Sequence, residues 1–175
     1  KESMRDGQKR VIVVEGGPGT GKTVVAINLL AKLTNAGQYA QYTSKNSAPR
    51  AVYKEKLRGE IKSASIDNLF VGPGSYVDVP KNCVDTIIVD EAHRLNDKSG
   101  MFRNLGENQI KEIINASKCA IFFIDESQRV TTYDIGSIDE IEKWANAAGA
   151  VIHKTELISQ FRCNGSDGYL AWLDD

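Results

Sequence analysis

The feature of this sequence that most constrains its fold is a glycine-rich stretch between an apolar run and a segment with helical periodicity. Residues 16–23 read GGPGTGKT and match every fixed position of the pattern GxxxxGK[ST]. The run VIVV precedes the stretch at residues 11–14, and apolar residues at helical spacing follow it. Glycines let the backbone curl so that its N–H groups point inward, and a helix start adds partial positive charge behind them. The stretch therefore predicts a phosphate-binding loop.

The residues of this loop are the candidates for holding the phosphates of ATP. The Lys22 ammonium can reach the β- and γ-phosphates, and the Thr23 hydroxyl can ligate Mg²⁺. The predicted ligands are therefore ATP and Mg²⁺. The predicted phosphate-binding residues are Gly16, Gly17, Pro18, Gly19, Thr20, Gly21, Lys22 and Thr23.

Two adjacent acids follow a second apolar run. Residues 86–89 read TIIV and predict a buried strand, so Asp90 and Glu91 stand at its carboxyl end. We expect Asp90 to hold Mg²⁺, and Glu91 to orient and deprotonate the attacking water. The alternative is a solvated acidic strand end. His93 has two open interpretations, as a residue that couples the nucleotide to other parts of the protein or as a polar loop residue.

Short apolar runs alternate with helix-like segments along the chain, which predicts parallel βαβ units with both faces of the sheet covered. We therefore expect one three-layer α/β/α domain with a mainly parallel central sheet. The predicted strands are residues 11–14, 39–43, 86–89, 120–124 and 150–152. The predicted helices are residues 22–36, 47–58, 107–116 and 137–148, and residues 63–82 are predicted to be irregular.

Composition excludes several other classes of protein. The 175 residues suit one domain, and 22 Lys and Arg against 23 Asp and Glu give a net charge of −1, unlike a uniformly basic protein. No apolar run approaches the roughly 18 residues of a membrane-spanning helix, so we expect no membrane partner. Three dispersed cysteines favour a reducing cytoplasm over a disulfide framework. The chain begins at Lys1 and stops abruptly at Asp175, which we interpret as a fragment of a longer protein.

Several segments, taken in order, resemble the motifs of superfamily 1 helicases. Besides the loop, they are residues 42–46, DEAH at residues 90–93, the Asp-x-x-Gln of residues 125–128, and QFR at residues 160–162. More specifically, GGPGTGKT, VDEAHR, IDESQ and QFRCNGSDGYLAWLDD are similar to the ATPase domain of bacterial Schlafen group 3-like DNA/RNA helicases. This resemblance spans residues 11–175. One departure is Ile124, which stands where superfamily 1 helicases usually carry glycine.

The resemblance implies roles for two further residues. Gln128 would sense the γ-phosphate, and Arg162 would act as an arginine finger on it, because a guanidinium stabilises the charge that phosphoryl transfer builds on the equatorial oxygens. The alternatives are a turn residue for Gln128 and a surface ion pair for Arg162. The resemblance also implies that residues 1–175 form one RecA-like ATPase lobe. Because motifs V and VI have no counterpart here, a second RecA-like lobe is expected elsewhere in the full-length chain.

A local basic segment is the candidate nucleic-acid site. Residues 43–62 carry a charge of +4, which would attract the phosphates of single-stranded DNA or RNA. Three nearby aromatic residues, Tyr42, Tyr53 and Phe70, are candidates for stacking on bases. The alternative is a solvated helix face, because Lys54, Arg58 and Lys62 recur every four residues. The acidic residues Asp134, Asp139, Glu140 and Glu142 are predicted to form an exposed helix without an assigned function.

The sequence thus predicts the ATP-binding and hydrolysing motor lobe of a superfamily 1-like helicase or translocase. We expect the isolated lobe to bind Mg-ATP weakly and to hydrolyse it slowly, because such motors cycle by closing two lobes around the nucleotide. The alternative is a nucleotide-dependent regulatory switch that changes partners without translocating. A small-nucleotide kinase is disfavoured, because DEAH, Asp-x-x-Gln and QFR have no evident role in phosphorylating a small acceptor.

Overall fold

The computed structural model describes residues 6–46, 68–100, 104–129 and 133–158. In these ranges the strands are β1 (Arg10–Glu15), β2 (Ala40–Thr43), β3 (Phe70–Val71), β4 (Val84–Val89), β5 (Ser117–Ile124) and β6 (Val151–Glu156). The helices are α1 (Lys22–Asn35), α2 (Gln109–Ala116) and α3 (Ile138–Ala147). Short 3-10 turns lie at Pro73–Tyr76, Ala92–Arg94 and Glu126–Gln128.

The six strands form one sheet in the order β3-β2-β4-β5-β1-β6, and every pairing between neighbours is parallel. Strand β5 lies between β1 and β4, so the strand before the glycine-rich loop and the strand before DEAH are not neighbours. Ile121 of β5 stands opposite Ile12 of β1 and Ile88 of β4. The carboxyl ends of β1, β5 and β4 therefore meet side by side at one edge of the sheet, where α/β proteins bind ligands.

Apolar side chains cover both faces of the sheet, because successive residues of a strand point to opposite sides. On one face, Ala26 and Leu30 of α1 pack against Val14, Ile88 and Phe123. The buried residues of α2 and α3 pack against the other face, and this second cluster includes Ile110, Ile113, Ile141, Val13, Val89 and Phe122. These two clusters give the three-layer α/β/α arrangement.

The helices begin where the sequence offers suitable caps. The Asn108 side chain accepts hydrogen bonds from the amides of Ile110 (3.0 Å) and Lys111 (3.1 Å) at the start of α2. Ser137 accepts one from the amide of Glu140 (3.1 Å) at the start of α3. These bonds satisfy amides that have no partner within the helix. Helix α1 differs, because its N-cap residue Gly21 makes no side-chain cap bond.

The predicted α/β class and parallel sheet are confirmed, and the five predicted strands and three of the predicted helices are present. The expectation of irregular structure over residues 63–82 was wrong for Phe70–Val71, which pairs with Tyr42 and Thr43 as β3. Two residues are too few to show strand periodicity, and Gly72 and Pro73 end the strand at once. The helix expected over residues 47–58 lies outside the described residues. None of the described helices is long and apolar enough to cross a membrane.

Candidate nucleotide site

The loop of residues 16–23 joins β1 to α1 and has the backbone geometry of an anion-binding site. Gly19 (φ 82°) and Gly21 (φ 83°) adopt the left-handed conformation, which residues with a Cβ rarely adopt. The Gly16 amide donates to the carbonyl of Ile124 (3.2 Å), which ties the loop to β5. No side chain caps α1, so its first amides and the positive end of the helix dipole are available to an anion bound at the loop. This backbone suits a phosphate chain.

The Lys22 side chain lies folded over the loop. It is 6% exposed, and its Nζ donates to the carbonyls of Gly16 (2.5 Å) and Gly17 (2.8 Å). The same atom lies 3.4 Å from Oδ2 of Asp125 at the end of β5. A buried ammonium needs such compensation. The Lys22 ammonium therefore lies at the loop with its positive charge compensated by the two carbonyls and by Asp125.

Thr23 and Asp90, the two residues expected at Mg²⁺, are in direct contact. The Thr23 hydroxyl donates to Oδ2 of Asp90 (2.8 Å), and the Tyr42 hydroxyl donates to the same oxygen (2.6 Å). The backbone amide of Glu91 donates to Oδ1 (3.1 Å). Burial raises the pKa of the Asp90 carboxyl above its usual range, although the hydrogen bonds from Tyr42 and Thr23 oppose this rise. A buried carboxylate with neutral donors beside a hydroxyl provides the oxygen ligands that Mg²⁺ prefers.

The Glu91 side chain points in a different direction from the Asp90 side chain, because the backbone turns at Glu91. It has φ 55° and ψ 45°, a left-handed conformation that is uncommon outside glycine. Its side chain is 27% exposed, and Oε2 lies 3.0 Å from Nε2 of the buried His93. The hydrogen bond from His93 lowers the pKa of the Glu91 carboxyl, so the group is ionised at neutral pH. His93 therefore contacts the predicted base, which favours the coupling interpretation over that of a polar loop residue.

Gln128 lies in the 3-10 turn after β5, and its Nε2 donates to Oδ2 of Asp125 (2.7 Å). Ser127 donates to the other oxygen, Oδ1, through its hydroxyl (2.6 Å). Burial alone would raise the pKa of Asp125, but these hydrogen bonds and the Lys22 ammonium outweigh it, and the pKa is lowered. Asp125 thus joins Lys22 to Gln128 through one carboxylate oxygen.

A pocket of about 250 Å³ lies over this loop, and residues from three separate segments line it. Its lining is Pro18, Gly19, Gly21, Lys22, Thr23, Val24, Glu91 and Gln128. A larger cavity of about 480 Å³ lies beside α2, and none of the predicted site residues lines it. The smaller pocket is the candidate nucleotide site, because the polar groups converge there.

Among the other predicted site residues, the structure describes Thr20 and Gly16 of the loop but not Arg162. Thr20 is buried, and its hydroxyl donates to the carbonyl of Gly17 (2.9 Å), so it stabilises the loop. A Cβ added to Gly16 would lie only 2.7 Å from the Thr20 hydroxyl oxygen, so the loop has room for glycine at this position but not for a residue with a side chain. Arg162 and the QFR segment lie outside the described residues.

The expectation for the nucleic-acid segment was wrong for two of its aromatic residues. Tyr42 is fully buried and Phe70 is 5% exposed, so neither can stack on a base. Both residues lie in strands of the sheet, where their rings pack against each other with centroids 5.4 Å apart. Tyr53 and residues 47–62 lie outside the described residues.

Lys45, the one cation of that segment among the described residues, is paired with an acid. Its Nζ lies 3.3 Å from Oδ1 of Asp134 and donates to Oδ1 of Asn96 (3.1 Å). The prediction of an exposed helix was wrong for Asp134, which precedes α3 and whose side chain is 1% exposed. The sequence pattern suggested an acidic face because Asp139, Glu140 and Glu142 follow closely on α3.

Two residues of the site, Asp125 and Tyr42, were not assigned to it from the sequence. Asp125 stands directly after a strand, as Asp90 does, and that shared position was a usable signal. Tyr42 had no such signal, because a tyrosine within a short strand is typical of any sheet.

Comparison with known proteins places the chain in a family. The family model described as "Schlafen group 3, DNA/RNA helicase domain" matches residues 9–175. A curated relative, Protein RecA of Clostridium novyi (strain NT), is 26% identical, with 67% of this chain and 39% of the relative covered. The chain thus spans about two fifths of that relative's length.

Several solved structures are also similar, at low sequence identity. The helicase domain of Pyrococcus furiosus Hef has a TM-score of 0.47 and 14% identity, over 87% of this chain and 36% of that one. DnaA from Aquifex aeolicus with bound AMPPCP has a TM-score of 0.44 and 17% identity, over 99% and 49%. The flagellar accessory protein FlaH of Methanocaldococcus jannaschii has a TM-score of 0.47 and 14% identity, over 84% and 71%.

Proposed function

The chain belongs to the Schlafen group 3 DNA/RNA helicase domain family, and we propose that it is the ATP-binding and hydrolysing motor lobe of a superfamily 1-like helicase or translocase. The observation that carries the proposal is the convergence of Lys22, Thr23, Glu91 and Gln128 on one pocket over the glycine-rich loop. Phosphoryl transfer requires positioning and charge stabilisation more than covalent chemistry, and these groups provide both.

In this proposal the loop binds the triphosphate of ATP. The amides at the start of α1 and the Lys22 ammonium hold its phosphates, and the ammonium exchanges the carbonyls of Gly16 and Gly17 for phosphate oxygens. Thr23 and Asp90 would hold Mg²⁺, which neutralises negative charge on the phosphates when it is bound. The two residues already touch, so the site needs little rearrangement to bring these two ligands together.

Glu91 is the proposed general base. It is ionised, partly exposed and on the rim of the pocket, so it can accept a proton from a water molecule. His93 holds the carboxylate at 3.0 Å, and this contact orients it. Gln128 is the proposed γ-phosphate sensor: it lines the pocket, and its amide could exchange the Asp125 oxygen for a phosphate oxygen there.

The remaining parts of the proposal rest mainly on the sequence and on the resemblance to helicases. We propose Arg162 as the arginine finger, and residues 1–175 as one RecA-like lobe that works with a second lobe elsewhere in the full-length protein. Residues 43–62 are proposed to bind single-stranded DNA or RNA, supported by their charge of +4. A reducing cytoplasm is proposed, in keeping with the free thiols of Cys83 and Cys119.

The test of the motor function is strand displacement or directional translocation by the full-length protein, measured with and without ATP. ATP-dependent displacement of a labelled strand is expected, together with ATP hydrolysis stimulated by single-stranded nucleic acid. A full-length protein that binds and hydrolyses ATP but neither translocates nor displaces a strand would overturn the motor assignment and favour a nucleotide-dependent switch.

A further inference from the structure

The buried Tyr42 hydroxyl points at the carboxylate that the proposed function assigns to Mg²⁺. Tyr42 is fully buried, and its hydroxyl lies 2.6 Å from Oδ2 of Asp90. The phenol ring is tilted by 56° against the ring of Phe70, which limits its movement. Burying a phenol is favourable only when its hydroxyl has a partner. The position of Tyr42 is therefore tied to Asp90.

The sheet explains how the two residues meet. Tyr42 of β2 stands opposite Ile88 of β4, and both belong to the cluster beneath α1. Asp90 comes two residues after Ile88, so its side chain points to that same face. The amide of Asp90 donates to the carbonyl of Thr43 (2.9 Å), which continues the β2–β4 ladder past the end of β4. The long phenol then reaches along the strand direction to the carboxylate.

Thr23 reaches the same oxygen from α1, which covers that face of the sheet. Oδ2 of Asp90 thus accepts two hydrogen bonds. One comes from the Thr23 hydroxyl, which the proposed site uses as a Mg²⁺ ligand, and the other comes from the Tyr42 hydroxyl, which lies deeper in the core. We propose that Tyr42 is a positioning residue of the Mg²⁺ site: its hydroxyl fixes the Asp90 carboxylate beside the Thr23 hydroxyl before the metal binds. This inference rests on the proposed ATPase function.

The consequence is specific to the metal. Groups that hold a metal ligand from behind typically change metal affinity by about 10–100-fold when they are removed. In the proposed function the phosphates would instead be held by the loop amides and by Lys22, whose ammonium contacts the carbonyls of Gly16 and Gly17 and the carboxylate of Asp125. Loss of the Tyr42 hydroxyl should therefore weaken the Mg²⁺-dependent part of nucleotide binding and leave the metal-free part unchanged.

The experiment compares Tyr42→Phe with Tyr76→Phe. Tyr76 is also buried, at 4% exposed, but its hydroxyl lies 3.2 Å from Oε1 of Gln41 and not at Asp90. Each variant loses one buried hydroxyl from the same domain, so the pair is matched. A fluorescent ATP analogue is titrated into each protein in EDTA and then at increasing Mg²⁺, and the unfolding midpoint of each variant is measured.

We expect Tyr42→Phe to bind the analogue in EDTA as the wild type does, and to need about tenfold more Mg²⁺ for half of the metal-induced gain in affinity. Tyr76→Phe should match the wild type in both. In an Asp90→Ala background, Tyr42→Phe should have no further effect, because the acceptor of the Tyr42 hydrogen bond is gone. Replacing Tyr42 with 4-aminophenylalanine, which keeps the ring and a para donor, should restore much of the Mg²⁺ response and also provides the test if the Phe variant fails to fold.

Two results would overturn the inference: a Mg²⁺ requirement of Tyr42→Phe within twofold of the wild type, or an equal rise in Tyr76→Phe. Both leave the proposed ATPase function in place, since Lys22→Ala would still lose the analogue. If Lys22→Ala instead binds the analogue as the wild type does, the phosphate site itself is wrong, and the inference fails with it.

Discussion

The Thr23 hydroxyl donates a 2.8 Å hydrogen bond to Oδ2 of Asp90, although 67 residues separate them in the chain. Thr23 stands at the start of α1, and Asp90 follows β4, which is two strands away from β1 in the sheet. Their contact arises because α1 returns across the face of the sheet. The fold itself thus brings the two proposed metal ligands together.

Replacing Lys22 with Ala should abolish detectable ATP binding. Charge-assisted hydrogen bonds to phosphate contribute about 1.5–3 kcal/mol each, so affinity should fall by at least about tenfold per lost bond. Fluorescence titration of an ATP analogue measures it. Lys32→Ala is the matched control, because Lys32 is an exposed lysine in the last turn of the same helix. Wild-type affinity for the analogue in Lys22→Ala would show that the loop is not the phosphate site.

The Glu91→Gln substitution should leave ATP binding intact in the full-length protein and reduce hydrolysis by at least about 100-fold, because an amide cannot accept the proton that a general base takes. Phosphate release and nucleotide binding, measured on the same preparation, separate the two effects. Glu107→Gln, at an exposed carboxylate paired with Lys111, should leave both unchanged. Unchanged turnover in Glu91→Gln would exclude Glu91 as the base.

The Lys45→Ala substitution should lower the free energy of unfolding by about 1 kcal/mol. It removes a cation from the buried Asp134 carboxylate, but Lys45 is itself one-third exposed, so solvent screens part of the interaction. Urea unfolding measures the change, and Lys98→Ala, at an exposed lysine of a neighbouring segment, is the control. Equal stability of the two variants would mean that Asp134 is satisfied without Lys45.

Stability should depend on pH through Asp85, which joins two strands at the amino end of the sheet. Its Oδ1 accepts from Lys118 of β5 (2.7 Å), and its Oδ2 accepts from the Tyr39 amide (3.0 Å). Burial raises the pKa of Asp85, but these hydrogen bonds outweigh it, and the folded pKa lies below 3.8. The stabilisation is therefore present above pH 4 and is lost as the pH falls through the folded pKa.

Asp85→Asn should accordingly be less stable than the wild type by about 0.5–1 kcal/mol at pH 7, after allowance for the partial exposure of Lys118. The difference should shrink below pH 4 and vanish once Asp85 is protonated in both states. Urea unfolding at pH 7, 4 and 2.5 tests this. A deficit that stays constant across the three pH values would assign the loss to packing rather than to charge.

Much of the site was predictable because its parts are local. The loop of residues 16–23, its flanking strand and helix, and the acids after residues 86–89 each occupy one continuous segment, where periodicity and turn chemistry are sufficient. Glu91 was selected from such a segment, Gln128 was implied by the resemblance of residues 125–128 to a helicase motif, and both line the pocket with Lys22. The partners of these residues were not predictable in the same way. Asp125 reaches Lys22 only because β5 lies between β1 and β4. The order of strands in a sheet cannot be read from any single segment of the sequence.

By itself, the sequence determined most of the described elements: five of the six strands, the starts of three helices, and the loop that can hold a phosphate. These depend on neighbours within a few residues, through side-chain alternation, caps and the conformational freedom of glycine. Only the tertiary structure decided which elements meet. It buried Tyr42 against Asp90 and placed Asp134 beside Lys45, contacts that span 48 and 89 residues. A tyrosine near a basic segment and an aspartate near an acidic helix suggest surface positions. Both Tyr42 and Asp134 are instead buried, because the packed sheet and its loops provide the partner that each polar group needs.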